Sequence, residues 1–232
     1  MTRPFAILPA VDVLGGRAVR LLRGDYGRVE LDAGDPLSLV RRAAASGPPL
    51  VHVVALAAAR DGGAPIELAS AVVAVAAPVG VQLGGGVRSV ADARALGAAG
   101  VERVVVGTAA FGPTPLEEFV DALGERIAVA IDVAGGIVRT NGWIESTELT
   151  TSAALDRCTS AGVSTVVCTA IDRDGTRSGP DLELLREVRE AFAGRVLAAG
   201  GIRNAADVDA IRDLGLDGVV VGRAWLDGTL TL

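Results

Sequence analysis

The sequence predicts an α/β fold, a single closed (β/α)8 barrel of eight parallel strands and eight covering helices, assembled from two similar half-barrels at about 1–122 and 123–232. Three observations predict it. Short β-branched runs alternate with stretches rich in Ala, Leu, Arg and Glu, as parallel strands alternate with crossover helices. The 232 residues are 50% hydrophobic but only 3% aromatic, so the core must be built from Val, Ile, Leu and Ala, as in a parallel sheet covered on both faces. The chain also repeats itself, which constrains topology more than propensity does.

The elements follow in order. The first strand is expected at Phe5–Val11, then a helix at Pro36–Ser46 and a second strand at Leu50–Ala55. The third strand, Val79–Leu83, precedes a helix at Val90–Ala99 that Ser89 can cap. The fourth, Arg103–Val106, precedes a helix at Leu116–Leu123. The fifth and sixth strands fall at Ile127–Ile131 and Thr165–Thr169, and a helix at Asp181–Ala191 follows. The seventh, Arg195–Ala198, leads through Asn204, a capping residue, into a helix at Ala205–Leu214, and Gly218–Val221 is the eighth strand.

Laying Gly85–Ala109 over Gly200–Ala224 gives identity at nearly half of the positions, including both Gly-Gly pairs, Arg88 with Arg203, Asp92 with Asp207, and Val104–Gly107 with Val219–Gly222. An earlier block, Ala10–Gly16, matches Ala130–Gly136. Two half-barrels closing on each other give the TIM-barrel architecture. An open doubly wound sheet is the alternative.

Composition narrows the function. A net charge of -6 without a Lys/Arg run argues against a nucleic-acid surface and leaves a small metabolite as the expected partner. No apolar run is long enough to span a bilayer, and Met1–Pro9 lacks an export signal, so a cytoplasmic protein without membrane contact is expected. Cys158 and Cys168 fit no metal or redox spacing and are read as free, partly buried thiols. The chain is expected to act as a monomer.

In such a barrel the functional residues sit just after the strands. Gly84-Gly85-Gly86 follows the third strand, Gly107-Thr108 the fourth, Gly200-Gly201 the seventh and Gly222-Arg223 the eighth. Glycine lets backbone N–H groups approach an anion, and a following helix N-terminus adds partial positive charge, so each neighbouring pair predicts one phosphate cradle. Two cradles imply a bisphosphate. Asp12 and Asp132, at the ends of the first and fifth strands, should face each other across the mouth, and Asp174 lies in the loop after the sixth. Carboxyls in different environments can divide the roles of proton acceptor and donor at a sugar carbon; Asp132 is equally readable as a loop cap. Arg20, Arg88 and Trp143 are placed to meet a carboxamide, a phosphate or a base ring, or else serve as surface charges and a packing ring. His52, the sole histidine, is expected to be a packed or edge residue.

Together, Leu8-Pro9-Ala10-Val11-Asp12, Arg23-Gly24-Asp25-Tyr26, Val81 to Arg88, Arg173-Asp174-Gly175-Thr176 and Gly200-Gly201-Ile202-Arg203 resemble the phosphoribosyl isomerases of histidine biosynthesis, which convert the aminoaldose ProFAR to the aminoketose PRFAR. The resemblance covers nearly the whole chain. It implies an Amadori rearrangement with no metal or organic cofactor, Asp12 as general base, Asp174 as general acid, and Thr169 and Asp132 in support; Gly179 joins the phosphate-binding set. The sequence departs from the family at Ala55-Leu56-Ala57 and Thr169-Ala170-Ile171, where acids are usual, and at Leu232, before the last helix is usually complete, which implies a frayed end. Relatives that also isomerise phosphoribosylanthranilate carry Arg-Gly-Trp where this chain has Asn141-Gly142-Trp143, and Ser-Gly-Gly where it has Gly84-Gly85-Gly86. The histidine substrate is therefore expected, with dual activity, or a bisphosphate-binding barrel with weakened turnover, as the alternatives.

Overall fold

The computed structural model describes residues 4–232; positions 1–3 of the expected first half-barrel lie outside the described residues. In chain order the elements are β1 (Ala6–Leu14), β2 (Arg17–Leu21), β3 (Val29–Gly34), α1 (Pro36–Ala45), β4 (Leu50–Ala55), α2 (Leu56–Asp61), α3 (Ile66–Ala76), β5 (Gly80–Gly84), α4 (Val90–Ala98), β6 (Arg103–Val106), α5 (Leu116–Leu123), β7 (Ile127–Ala134), β8 (Ile137–Thr140), β9 (Glu145–Thr150), α6 (Thr151–Ser160), β10 (Thr165–Ala170), α7 (Leu182–Ala191), β11 (Arg195–Ala199), α8 (Ala205–Asp213), β12 (Gly218–Val221) and α9 (Arg223–Leu226).

Strands β1, β4, β5, β6, β7, β10, β11 and β12 pair in parallel in that order, and β12 pairs back onto β1. The cylinder is closed, which rules out the open doubly wound sheet. Alternation along each strand sorts the core into two parts. Outward residues such as Val51, Val53, Val104, Val129, Ile131 and Val219 pack under the helices, whereas Ala6, Leu8, Leu50, Ala128, Val167 and Leu197 fill the interior. The helices start where short polar side chains satisfy first-turn N–H groups: Asp35 at α1, Ser89 at α4, Thr150 at α6, Asp181 at α7 and Asn204 at α8.

Two details differ from the sequence reading. Asp12 and Asp132 do not end their strands. Both β1 and β7 run two residues further and turn back through Gly15-Gly16 and Gly135-Gly136, all at positive φ, into β2 and β8. Such turns favour glycine at both central positions because an L side chain is strained there. The β1–β2–β3 and β7–β8–β9 hairpins therefore rise over the same mouth. The last helix is short, as the sequence reading expects, and consists of the single turn α9. The end beyond it does not fray: Leu230 is buried in the core, and its N–H donates to the Ala224 carbonyl at 3.0 Å.

Candidate active site

The carboxyl ends of the barrel strands and the two hairpins enclose a cavity of about 1200 Å³, counted to its open mouth. Asp12, Asp132 and Asp174 all line it, as do Thr169, Arg20 and Trp143. The first glycine set contributes Gly84, Gly85, Gly86, Arg88, Gly107 and Thr108, and the second contributes Gly200 and Gly222. Gly201 and Arg223 line a smaller adjoining recess that shares Arg20, Asp174, Gly200 and Gly222. Gly179 lines neither; its carbonyl instead backs Gly201.

The glycine sets obey the internal repeat in three dimensions. A Cβ on Gly200, at φ +90°, would lie 2.6 Å from the Ala170 carbonyl oxygen, and one on Gly85, at φ +103°, would collide in the same way with Ala55. Gly86 is pressed against Gly63 as Gly201 is against Gly179. Only glycine permits that backbone approach. The N-termini of α4 and α8, however, are not the open anion sites expected, whereas among the described residues the turns starting at Thr108 and Arg223 carry no side-chain cap. The Asp92 carboxylate already accepts from the N–H groups of Arg88 and Ser89, and Asp207 accepts from the Arg203 N–H and guanidinium. Each carboxylate supplies the negative charge a helix start favours, which leaves the glycine backbone and the uncapped turns at Thr108 and Arg223 as the groups open to an anion. Arg88 and Arg223 are also held, the first on the Ala59 carbonyl at 2.8 Å and the second by Asp227 at 2.9 Å and Glu30 at 3.4 Å.

The acids stand in distinct environments. Arg20, rising from β2, donates to the Asp12 carboxylate at 2.5 Å and to the Ala10 carbonyl at 3.0 Å, while its buried Nε has no partner among the described residues. Gly222 makes room for this guanidinium, which a Cβ there would strike. Burial raises Asp12 above the ordinary carboxylate range, opposed by the charge and hydrogen bond of Arg20. Asp174, in the turn after β10, is pushed up to about 6, chiefly by burial; Arg20 counteracts this, and the charges of Asp12 and Asp132 add to it. Asp132 is also raised by burial, against hydrogen bonds from Thr169 and Trp143. Thr169 is its ladder partner in β10. One acid thus lies against a fixed cation, while another holds its proton to nearly neutral pH.

The hairpin tips interlock above the acids. The Trp143 ring seats on Gly24, and Tyr26 meets Gly142, where a Cβ would lie 2.5 Å from the tyrosine oxygen. Tyr26 donates to the Leu56 carbonyl at 3.1 Å, with Arg60 5.2 Å from its ring centroid. Asn141 donates to Glu145 at 2.6 Å, and its N–H donates to Thr108 at 2.9 Å. Tyr26, Arg139 and His52 also line the cavity and were missed as site residues by sequence reasoning. Tyr26 and Arg139 belong to hairpins that strand periodicity left as loops. His52 is packed, as expected, but faces the barrel interior; its alternation with Leu50 and Val54 was the available signal.

Comparison with known proteins identifies the family. A family model described as histidine biosynthesis protein matches residues 6–231. A protein of Synechococcus sp. (strain JA-3-3Ab), named 1-(5-phosphoribosyl)-5-((5-phosphoribosylamino)methylideneamino)imidazole-4-carboxamide isomerase, is 42% identical over 231 residues, covering 97% of this chain and 87% of the relative. A protein of the same name from Dehalococcoides mccartyi (strain ATCC BAA-2266 / KCTC 15142 / 195) is 37% identical over 227 residues, covering 97% of this chain and 96% of the relative. No helix among the described residues is long and apolar enough to cross a membrane. With eight closed strands, two matched glycine cradles and three acids at one mouth, the chain belongs to the histidine biosynthesis protein family.

Proposed function

We propose that the chain is the phosphoribosyl isomerase of histidine biosynthesis, converting the aminoaldose ProFAR to the aminoketose PRFAR in its monomeric form. The observation that carries this reading is the placement of Asp12 and Asp174 in one cavity between glycine cradles related by the internal repeat. Each terminal phosphate occupies one cradle, and the two anchors hold the reacting ribose over the acids, an arrangement that lowers the barrier by fixing orientation.

Asp174, which keeps its proton to about pH 6, donates it to the ribose ring oxygen. The C1–O bond breaks as the nitrogen lone pair forms a C=N bond, giving a protonated Schiff base. Asp12, paired with Arg20, removes the C2 proton; the electron pair moves into C1–C2, and the C=N electrons return to nitrogen. The resulting enolamine becomes the ketone when C1 gains a proton and the C2 hydroxyl loses one. Thr169 orients Asp132 beside this centre, and Trp143 covers the imidazole.

Asp12→Asn and Asp174→Asn each remove a proton-transfer partner, so each should lower kcat by about 10² or more with KM little changed. Steady-state turnover of ProFAR tests this. Parental rates in both variants would refute the assignment.

A further inference from the structure

The two half-barrels match in backbone but not in what fills their interior. In the first half, Ala10, His52, Gln82 and Arg103 form one in-register row across β1, β4, β5 and β6. Because barrel strands are staggered, such a row descends from the mouth to the base; Arg103 is the first residue of its strand. The corresponding row of the second half is Ala130, Val167, Leu197 and Gly218 across β7, β10, β11 and β12. The fold can therefore fill this row with apolar side chains. Burying a histidine and a glutamine there instead, beside a partly buried arginine, is costly unless their polar atoms are paired.

The pairing is directional. Arg103 can only donate, so the Gln82 atom it meets at 3.0 Å is the carbonyl oxygen Oε1. The Gln82 amide nitrogen must then face His52 Nδ1, 2.7 Å away, and that nitrogen must accept. The imidazole proton is left on Nε2. Gln82 is fully buried and cannot be turned over by water. Burial, with the positive charges of Arg20 and Arg103, pushes His52 down to about 4, so the ring is neutral at physiological pH. Its Nε2 has no protein partner among the described residues and is not among the buried unpaired atoms, while the residue lines the cavity.

We infer that Gln82 and Arg103 are positioning residues that lock His52 as the Nε2–H tautomer, so that His52 presents a fixed neutral donor to a sugar oxygen of the substrate one layer below Asp12. This rests on the isomerase reading for its substrate. Its geometry does not: Asp12 is in register with Val54, the next inward residue of β4 after His52. A neutral donor stabilises oxygen charge developing in the transition state without forming a fixed ion pair with Asp12.

His52 is the only histidine, so a long-range proton–nitrogen NMR spectrum of the labelled protein reports its tautomer without assignment. The expected spectrum shows protonated Nε2 and bare Nδ1 at neutral pH. In Arg103→Met the second tautomer should appear, because nothing then fixes the Gln82 amide. His52→Leu should lower kcat by about 10- to 100-fold with KM within twofold, and His52→Gln, which can return an N–H near the lost Nε2, should recover part of it. A protonated Nδ1 or a charged ring in the parent protein overturns the inference, even if variants fold poorly. So does parental kcat in His52→Leu, or an unchanged tautomer in Arg103→Met. If Asp12→Asn turns over normally, the isomerase reading has failed instead, and the tautomer result stands apart from it.

Discussion

Replacing Gly200 by alanine tests the cradle at the level of a single methyl group. The residue has φ +90°, where an L side chain costs about 1–2 kcal/mol. The new Cβ would lie 2.6 Å from the Ala170 carbonyl oxygen, and ordinary contact begins at 3.4 Å, so the backbone must yield by roughly 0.8 Å. Overpacking of this kind adds about 1–3 kcal/mol, for a total stability loss of about 2–5 kcal/mol. A displacement near 1 Å in a group that anchors substrate can cost about 10²-fold, so kcat/KM should fall by about 10- to 100-fold. Gly215→Ala is the control: it has φ +77° but open space around the Cβ, so it carries backbone strain alone. Urea denaturation and steady-state kinetics on both variants separate the two effects. The reasoning fails if Gly200→Ala retains parental kcat/KM, or if Gly215→Ala loses as much.

Other outcomes follow from the same geometry. Asp174 has a folded pKa of about 6 against an ordinary 3.8, so the folded state binds its proton more tightly and stability falls as pH rises between these values. Asp174→Asn should reduce that slope, leaving the part contributed by Asp12 and Asp132, which burial also raises, and should be more stable than the parent at pH 7, by up to about 3 kcal/mol, despite losing turnover; calorimetry across pH 3.5–7.5 would detect an unchanged slope, which would contradict it. Cys158 and Cys168 are buried, and burial pushes the Cys158 thiol up to about 12 and Cys168 higher still, so a thiol reagent should label neither at pH 8 until denaturant is added. Labelling of the folded protein would show that these thiols are accessible. Expression in a tryptophan auxotroph lacking phosphoribosylanthranilate isomerase should give no rescue, since Asn141 is committed to Glu145; growth would point to Arg139, which lines the same cavity, as the substituting cation.

By itself the sequence determined the barrel and showed its internal repeat, because Val/Ile runs at regular spacing and the matched Gly-Gly, Val-Val-Val-Gly and Asp-Val blocks are local properties that survive without coordinates. Asp12, Asp174 and the glycine sets were legible for the same reason: each lies at or shortly after the end of an apolar run. The Gly-Gly turns after Leu14 and Ala134 were also visible, yet the hairpins they start are not, since β2 and β8 are only five and four residues long and the outer strands β3 and β9 are mostly polar. Only the tertiary structure decided that the starts of α4 and α8 are neutralised by Asp92 and Asp207, because that depends on which way a carboxylate turns. The His52–Gln82–Arg103 row was likewise out of reach: its members lie far apart in the chain, and only the stagger of a closed barrel brings them into register.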